Sequence, residues 1–429
     1  MKKLIIFQLF ISFVCFNNLF AQKKPNIIFI LADDYGVGEV STYGADNYKT
    51  PNIDKLAKDG LKFNHCYTAA LCGPSRALIL TGRYAFRTGA TNQDKTGKFT
   101  PKDEVMIPAM LKQAGYASTS IGKWGQLPLA PSDFGFDTYL TFRGSGIFWN
   151  TQEKGKDYFL NGTTIPLNDK EYMPDLMHQK AVDFFVTNKN KPFFLYYSLS
   201  HVHAEILPTP DSKPDSKDVY FDNVTYMDKL VGKLMSSLDS LHLLENTLVV
   251  FVGDNGTAKQ RADKATIGGK RLSGEKGSML EGGGLVPLIA YWKGVTPKGK
   301  VSNMMVDASD FFPTFMEMAG VKNTANPIDG QSILKEIKGK TSDHRTWAYN
   351  QLANMYYVRE LDWKLNQKGE LFNMTKAPFE EILIPLDSKD KNVIEARLRL
   401  QKVLATINPA GGIIDDGDGT GRHAGKNKD

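Results

Sequence analysis

Cysteine is scarce in this chain: three in 429 residues, at positions 15, 66 and 72. So few cysteines exclude a disulfide-rich scaffold, although a Cys66–Cys72 pair in an oxidising compartment stays open. An excess of one charge is lacking too. Lysine and arginine number 53 against 47 acidic residues, and the net +6 falls to +4 without Lys2 and Lys3. That balance suits an anionic substrate without arguing for one, and no basic run suggests nucleic acid. After the N-terminus no apolar run is long enough to cross a bilayer, so no integral membrane contact is expected. Internal repeats and low-complexity blocks are missing as well.

The first residues, MKKLIIFQLFISFVCFNNLFAQ, do carry a pattern. Lys2 and Lys3 precede a short apolar core over 4–16, and Leu19-Phe20-Ala21 makes a cleavage site. This predicts a secretory signal peptide over 1–21 and a periplasmic or secreted protein. A buried N-terminal helix is the alternative.

Beyond it, apolar runs alternate with amphipathic stretches, which predicts an α/β domain with a largely parallel sheet. "NIIFILA" (26–32), "YASTSIG" (116–122), "FFLYYSLS" (193–200) and "TLVVFVG" (247–253) read as strands covered on both faces. Helices are expected after Thr50-Pro51 up to Gly60, over 105–114, over 224–241 and over 311–319. Near residue 340 the polar "GKTSDHRT" precedes short strand-like pieces, and 380–407 reads as helical in part. The organisation expected is a main domain over 22–340, a small antiparallel α+β subdomain over 341–410 and a flexible tail over 411–429.

Each of the four strands runs into polar or ionisable residues: Asp33-Asp34, Lys123, His201-Val202-His203 and Asp254-Asn255. Ligands bind beyond the carboxyl ends of parallel strands, so these residues are expected on one rim. Asp33, Asp34, Asp254 and Asn255 offer only oxygen donors, a set that favours Ca²⁺ or Mg²⁺ over zinc. Strand-end turns are the bland explanation of any one acidic pair.

In "AALCGPSRALILTGR" (69–83), Pro74 suits the first turn of a helix and Gly82 its end. Cys72 and Arg76 are then neighbours on one face, and the helix start and the guanidinium both favour an anion there. A thiolate nucleophile is one reading. Beside a hard, oxygen-loving cation, an oxygen nucleophile fits better.

Cys72-Gly73-Pro74-Ser75-Arg76, continued by Thr81-Gly82-Arg83, resembles the signature of the formylglycine-dependent sulfatases. The resemblance extends to "PNIIFILADDYG", "TPNIDKLAKDGLKFNHCYT", "NTLVVFVGDNG", "SGEKGSMLEGG" and "VDASDFFPTFMEMAGV", nearly the whole mature chain. It implies the alkaline phosphatase superfamily fold, a large, mixed but mostly parallel sheet between helices. It also implies that a formylglycine-generating or anaerobic sulfatase-maturating enzyme oxidises Cys72 to formylglycine. The aldehyde hydrates to a gem-diol; one hydroxyl attacks sulfur at the metal, and the other expels sulfate.

Carried onto this chain, the resemblance assigns Asp33, Asp34, Asp254, Asn255 and modified Cys72 to the cation, Ca²⁺ or Mg²⁺. Arg76 would hold the nucleophile, Lys123 and Lys276 the sulfate oxygens, and His203 the leaving-group oxygen. Two departures stand out. Gly125 replaces the histidine that usually follows Gly-Lys-Trp, with His201 or Gln126 available to enter the space. Leu285 replaces an arginine after "EGG". A sulfated carbohydrate is the expected substrate, with "LTFRGSGIFWN" (140–150) either stacking on sugar or packing as core. The rival readings are a phosphoester hydrolase on the same fold and a silent carbohydrate-binding relative.

Overall fold

The computed structural model describes residues 24–421 except 95–97, 153–155, 204, 323–325 and 342. The expected signal peptide and the last residues of the tail therefore lie outside the described residues. In chain order the strands of the main domain are β1 (Asn26–Ala32), β2 (Leu61–Tyr67), β3 (Ala117–Gly122), β4 (Thr138–Phe142), β5 (Asp157–Leu160), β6 (Thr163–Pro166), β7 (Phe193–Leu199) and β8 (Thr247–Gly253). A two-stranded ribbon of β9 (Thr266–Ile267) and β10 (Lys270–Arg271) follows, then β11 (Leu288–Trp292) and β12 (Lys300–Asp307). Ten of them form one sheet in the order β12-β2-β11-β8-β1-β7-β3-β4-β5-β6. Only β11 and β5 oppose the common direction. The sheet is thus mixed and mostly parallel, as the resemblance implies.

Strand β1 shows why both faces must be covered. Ile27, Phe29 and Leu31 enter one hydrophobic cluster, while Ile28, Ile30 and Ala32 enter another on the opposite face. This is the two-residue period of a strand read in three dimensions. Each large apolar side chain buried there contributes about 1.5–3 kcal/mol. The first cluster is completed by α2 (Cys72–Thr81), α4 (Ile107–Gln113) and α8 (Phe311–Ala319), the second by α1 (Pro51–Asp59), α5 (Met173–Asn188) and α6 (Val219–Ser240). Shorter turns α3 (Ala85–Thr88), α7 (Glu281–Gly284) and α9 (Leu334–Ile337) link these parts.

Three helix starts differ from the pattern expected, α4 beginning at Ile107, just before Pro108, rather than at 105. Helix α6 begins at Val219 rather than 224, because the Asp218 carboxylate accepts the Phe221 N–H and nucleates the turn earlier. Thr50 precedes α1 but makes no side-chain cap; its hydroxyl donates to Asp54 Oδ1 at 3.1 Å instead. Of the stretch 140–150, Phe142, Ile147 and Phe148 are buried as core, and among its aromatic residues only Trp149 is partly open, its indole donating to the Pro208 carbonyl at 2.8 Å.

The C-terminal part is a second, antiparallel sheet of β13 (Ala348–Leu352), β14 (Met355–Arg359), β15 (Trp363–Asn366), β16 (Leu371–Asn373) and β17 (Ile382–Ile384), with α10 (Lys391–Ile407) packed on it. Val393, Ala396 and Leu400 of α10 join Val358, Leu365 and Leu371 in the first cluster. The stretch expected to be a loose tail makes specific contacts over 412–421. Ile413 N–H donates to Phe86 O at 2.7 Å, and Asp415 Oδ1 accepts from Thr91 Oγ1 at 2.7 Å.

Behind the turn that follows β1, Glu39 is fully buried and accepts from Tyr220, from Thr257 Oγ1 at 2.7 Å and from Gly36 N at 3.0 Å. Burial pushes its carboxyl from 4.5 up to about 7. The folded state then holds a proton that the unfolded chain has released, so stability falls as pH rises from about 4.5 to 7. Glu39→Gln is expected to remove that slope and to stabilise the protein at about pH 8, by on the order of 3 kcal/mol at most. Denaturant midpoints of both proteins across about pH 5–8 check it; equal slopes would refute the assignment.

Candidate active site

Strands β8, β1, β7 and β3 are lateral neighbours, so the groups at their C-terminal ends meet on one rim. Backbone bonds continue the ladders past the strands: Asp254 N–H to Ala32 O at 2.9 Å, Asp33 N–H to Leu199 O at 2.9 Å and Lys123 N–H to Ser198 O at 3.2 Å. Asp34 adopts φ +57, a left-handed turn that interrupts strand alternation, and both of the paired carboxylates end in the same cluster. The Asp34 N–H donates to Asp254 Oδ1 at 3.0 Å and Asn255 Nδ2 donates to Asp34 Oδ1 at 2.9 Å. All four proposed oxygen ligands are buried.

Helix α2 brings Cys72 and Arg76 to this rim as its spacing predicts. It ends at Gly82, whose φ of +68 needs no Cβ and whose place against Phe312 leaves no room for one. Arg76 is entirely buried. It donates to Lys123 O at 2.8 Å, to Ser198 Oγ, and to Asp254 Oδ2 at 2.8 Å. Lys123 Nζ lies 2.6 Å from Asp33 Oδ2 and 3.3 Å from Cys72 Sγ. Both Cys66 and Cys72 are free, so the disulfide alternative does not form.

The charges within the cluster oppose one another. Burial alone would raise the Asp33 pKa, but Lys123, His203 and Arg76 hold it far below the usual carboxylate range. Burial, and then the Asp33 charge, push Asp254 up to about 7. Burial works against the charges of Arg76 and Lys123, yet Tyr196 and Asp254 on one, and Asp33 on the other, push both pKa values up. Two buried oxygens, Asp33 Oδ1 and Asn255 Oδ1, have no hydrogen-bond partner. Donor atoms from Asp33, Cys72 and Asp254 lie within 4.8 Å of one another, as do those from Asp33, Asp34 and His203. Orphaned oxygens beside crowded carboxylates fit a hard cation, which satisfies the first and relieves the second.

At the mouth, Lys276 Nζ is 2.5 Å from Asp34 Oδ1, and His203 Nε2 is 3.9 Å from Asp34 Oδ2. Burial is the main cause that lowers the His203 pKa; for Lys276 burial opposes a rise led by Asp34. His201 is buried, its two ring nitrogens lack hydrogen-bond partners, and burial lowers its pKa to about 3. Of the two candidates for the space at Gly125, Gln126 reaches the nucleophile position, with Oε1 3.9 Å from Cys72 Sγ. Gly125 itself has φ +79, and a Cβ there would sit 3.3 Å from Arg76 Cδ, so any side chain at 125 is strained. Leu285 packs with Val37 and Tyr67 in a separate apolar cluster.

Sequence reasoning overlooked two residues. Ser198 lies in β7 and receives the Arg76 guanidinium. Gln93 donates to Cys72 Sγ at 2.9 Å from a polar loop with no motif of its own.

Known proteins identify the family. The family model described as Sulfatase matches residues 25–321. The N-acetylgalactosamine-6-sulfatase of Homo sapiens is 33% identical over 363 residues, covering 77% of this chain and 69% of the relative. Arylsulfatase G of Rattus norvegicus is 31% identical over 371 residues, covering 75% and 70%. Among solved structures, Ps i-CgsB in complex with k-i-k-neocarrahexaose superposes with a TM-score of 0.78 at 28% identity, covering 92% of this chain and 95% of that one. The PsFucS1 sulfatase from Pseudoalteromonas sp. gives 0.73 at 25% identity, covering 92% of each. A family match over residues 25–321 and relatives above 30% identity show that this chain belongs to the sulfatase family and is a sulfuric ester hydrolase.

Proposed function

We propose that this sulfatase removes sulfate from a sulfated carbohydrate or polysaccharide fragment, with Ca²⁺, or Mg²⁺ in its stead, as its cation. The observation that carries the reading is the cluster of Asp33 and Asp254 beside Cys72, joined by hydrogen bonds to Asp34 and Asn255, with two buried oxygens lacking hydrogen-bond partners. Relatives named for a sugar sulfate and a solved neighbour bound to an oligosaccharide support the substrate class.

The cation would be held by those four residues and modified Cys72, and when bound it supplies Lewis-acid charge neutralisation. Formylglycine at position 72 supplies an oxygen nucleophile once hydrated. Lys123 and Lys276 bind the sulfate oxygens and offset charge that grows in the transition state. Arg76, locked by three partners, holds the nucleophile end of α2 against Asp254. His203 holds a proton at the leaving-group oxygen, and His201, two residues before it, is assigned to substrate binding from its position in the sequence alone. A maturation enzyme would act on Cys72 before use. The leader over 1–21 would direct export to the periplasm or exterior; no helix among the described residues is long and apolar enough to cross a membrane.

Paired turnover of an aryl sulfate and the matching aryl phosphate, each with and without chelator, tests this. Sulfate turnover should exceed phosphate turnover by about tenfold or more and should vanish on chelation, returning with Ca²⁺ or Mg²⁺. Preference for phosphate would favour the phosphoester reading, and no turnover of either, or of a panel of sulfated sugars, the silent one.

A further inference from the structure

Helix α2 starts without a cap of its own. Its N-cap residue is Leu71, which offers no side-chain acceptor, so the first N–H groups need partners from elsewhere. Gln93 provides one: its Oε1 accepts the Gly73 N–H at 3.1 Å. That bond fixes which end of the amide is which. The Nε2 end is then aimed at Cys72 Sγ, 2.9 Å away. The Sγ position stands in for an oxygen on the same carbon after conversion to formylglycine. One amide thus spans the helix start and the reacting atom.

The loop that carries Gln93 is held from the far end of the chain. Its own N–H donates to Gly421 O at 2.8 Å. Two residues earlier, Thr91 Oγ1 donates to Asp415 Oδ1 at 2.7 Å, and Asn92 Nδ2 donates to the same oxygen. Asp415 is fixed in turn, its N–H donating to Asn354 Oδ1 at 2.8 Å and its carbonyl accepting from Asn354 Nδ2 at 2.8 Å. Asp415 is buried, unlike an ordinary tail aspartate.

We infer that Gln93 hydrogen-bonds and orients the nucleophile formed at Cys72, and that the C-terminal segment 412–421, through Asp415, is the strap that sets Gln93 in place. The inference rests on Cys72 being the precursor of an oxygen nucleophile. A glutamine N–H donated to one hydroxyl of the hydrated aldehyde favours the hydrate over the free aldehyde and selects the rotamer that faces sulfur. Asp415 touches no reacting atom and acts as a positioning residue.

The test uses the full-length, matured protein and three readouts: kinetics, conversion of Cys72 by mass spectrometry, and the rate of oxime formation with an aminooxy probe, which condenses with free aldehyde and releases water. Gln93→Ala should lower kcat about 10- to 100-fold with KM within about twofold, equally for aryl and sugar sulfates, because attack on sulfur is common to both. Oxime formation should run about 3- to 10-fold faster, the equilibrium worth of one lost hydrogen bond. Asp415→Ala should show a smaller loss of the same kind, Asp415→Asn should restore it, and the double variant should be no worse than Gln93→Ala alone. Should Gln93→Ala fail to fold, Gln93→Met fills the same space without the N–H donor or a new charge, and carries the same expectations. Wild-type kinetics and oxime rate in fully converted Gln93 variants would overturn the inference, as would multiplying losses in the double variant. Active wild-type enzyme with unmodified Cys72 would instead refute the reading beneath it.

Discussion

Cys72→Ala is expected to lower sulfate-ester turnover by about 10³-fold or more while leaving the fold intact. The side chain is small and buried, and its loss removes one sulfur from the start of α2 without touching the Arg76 contacts to Lys123, Ser198 and Asp254. A large kinetic effect with an unchanged melting temperature therefore reports chemistry. Active wild-type protein should show the Cys72 peptide lighter by about 18 Da, an aldehyde in place of the thiol. Cys66 should stay a plain thiol: it is fully buried, and burial together with Asp310 and Asp307 pushes its pKa well up, which suppresses the reactive thiolate. Full activity with an unmodified Cys72, or in the Cys72→Ala protein, would rule out the mechanism.

His203→Ala is expected to separate two substrates. A sugar sulfate leaves as an alkoxide, which needs a proton or a strong donor as the S–O bond breaks. An activated aryl sulfate leaves as a stabilised phenolate and needs little help. Proton transfer from a positioned side chain is worth about 10²–10⁴-fold, so kcat/KM on the sugar substrate should fall by that range. On the aryl substrate it should fall less than about tenfold. His203 sits at the mouth, 3.9 Å from Asp34 and partly open to solvent, as a group that meets the leaving oxygen should. Equal losses on both substrates would mean that His203 acts on the attack or on the cation cluster, and the acid role would fall.

Much of this was legible in the residues. The four runs became β1, β3, β7 and β8 almost to the residue; β1, β7 and β8 are buried on both faces and nearly all apolar, whereas β3 is buried despite Ser118, Thr119 and Ser120. The polar residues that end them could then lie only on one rim, and the i, i+4 spacing put Cys72 beside Arg76. The remaining strands of the large sheet were harder to see. Leu61–Tyr67 mixes Lys62, Asn64 and His65 with its core residues, and β5 and β6 are short edge pieces with exposed positions. Their pairing partners supply the order that their composition does not.

Sequence by itself determined the reaction class: a five-residue signature, the pairs Asp33-Asp34 and Asp254-Asn255, and two lysines at strand or segment ends. Tertiary structure alone decided what surrounds them. Gln93 is 21 positions from Cys72 and Asp415 is 324 from Thr91, so no local pattern joins them. Gly125 gives no hint in sequence that its φ of +79 resists a side chain. The pattern of residues specifies local geometry and burial, which act over one or two turns of chain. Contacts between distant loops depend on where the packed sheet and helices carry them, and only the folded chain contains that information.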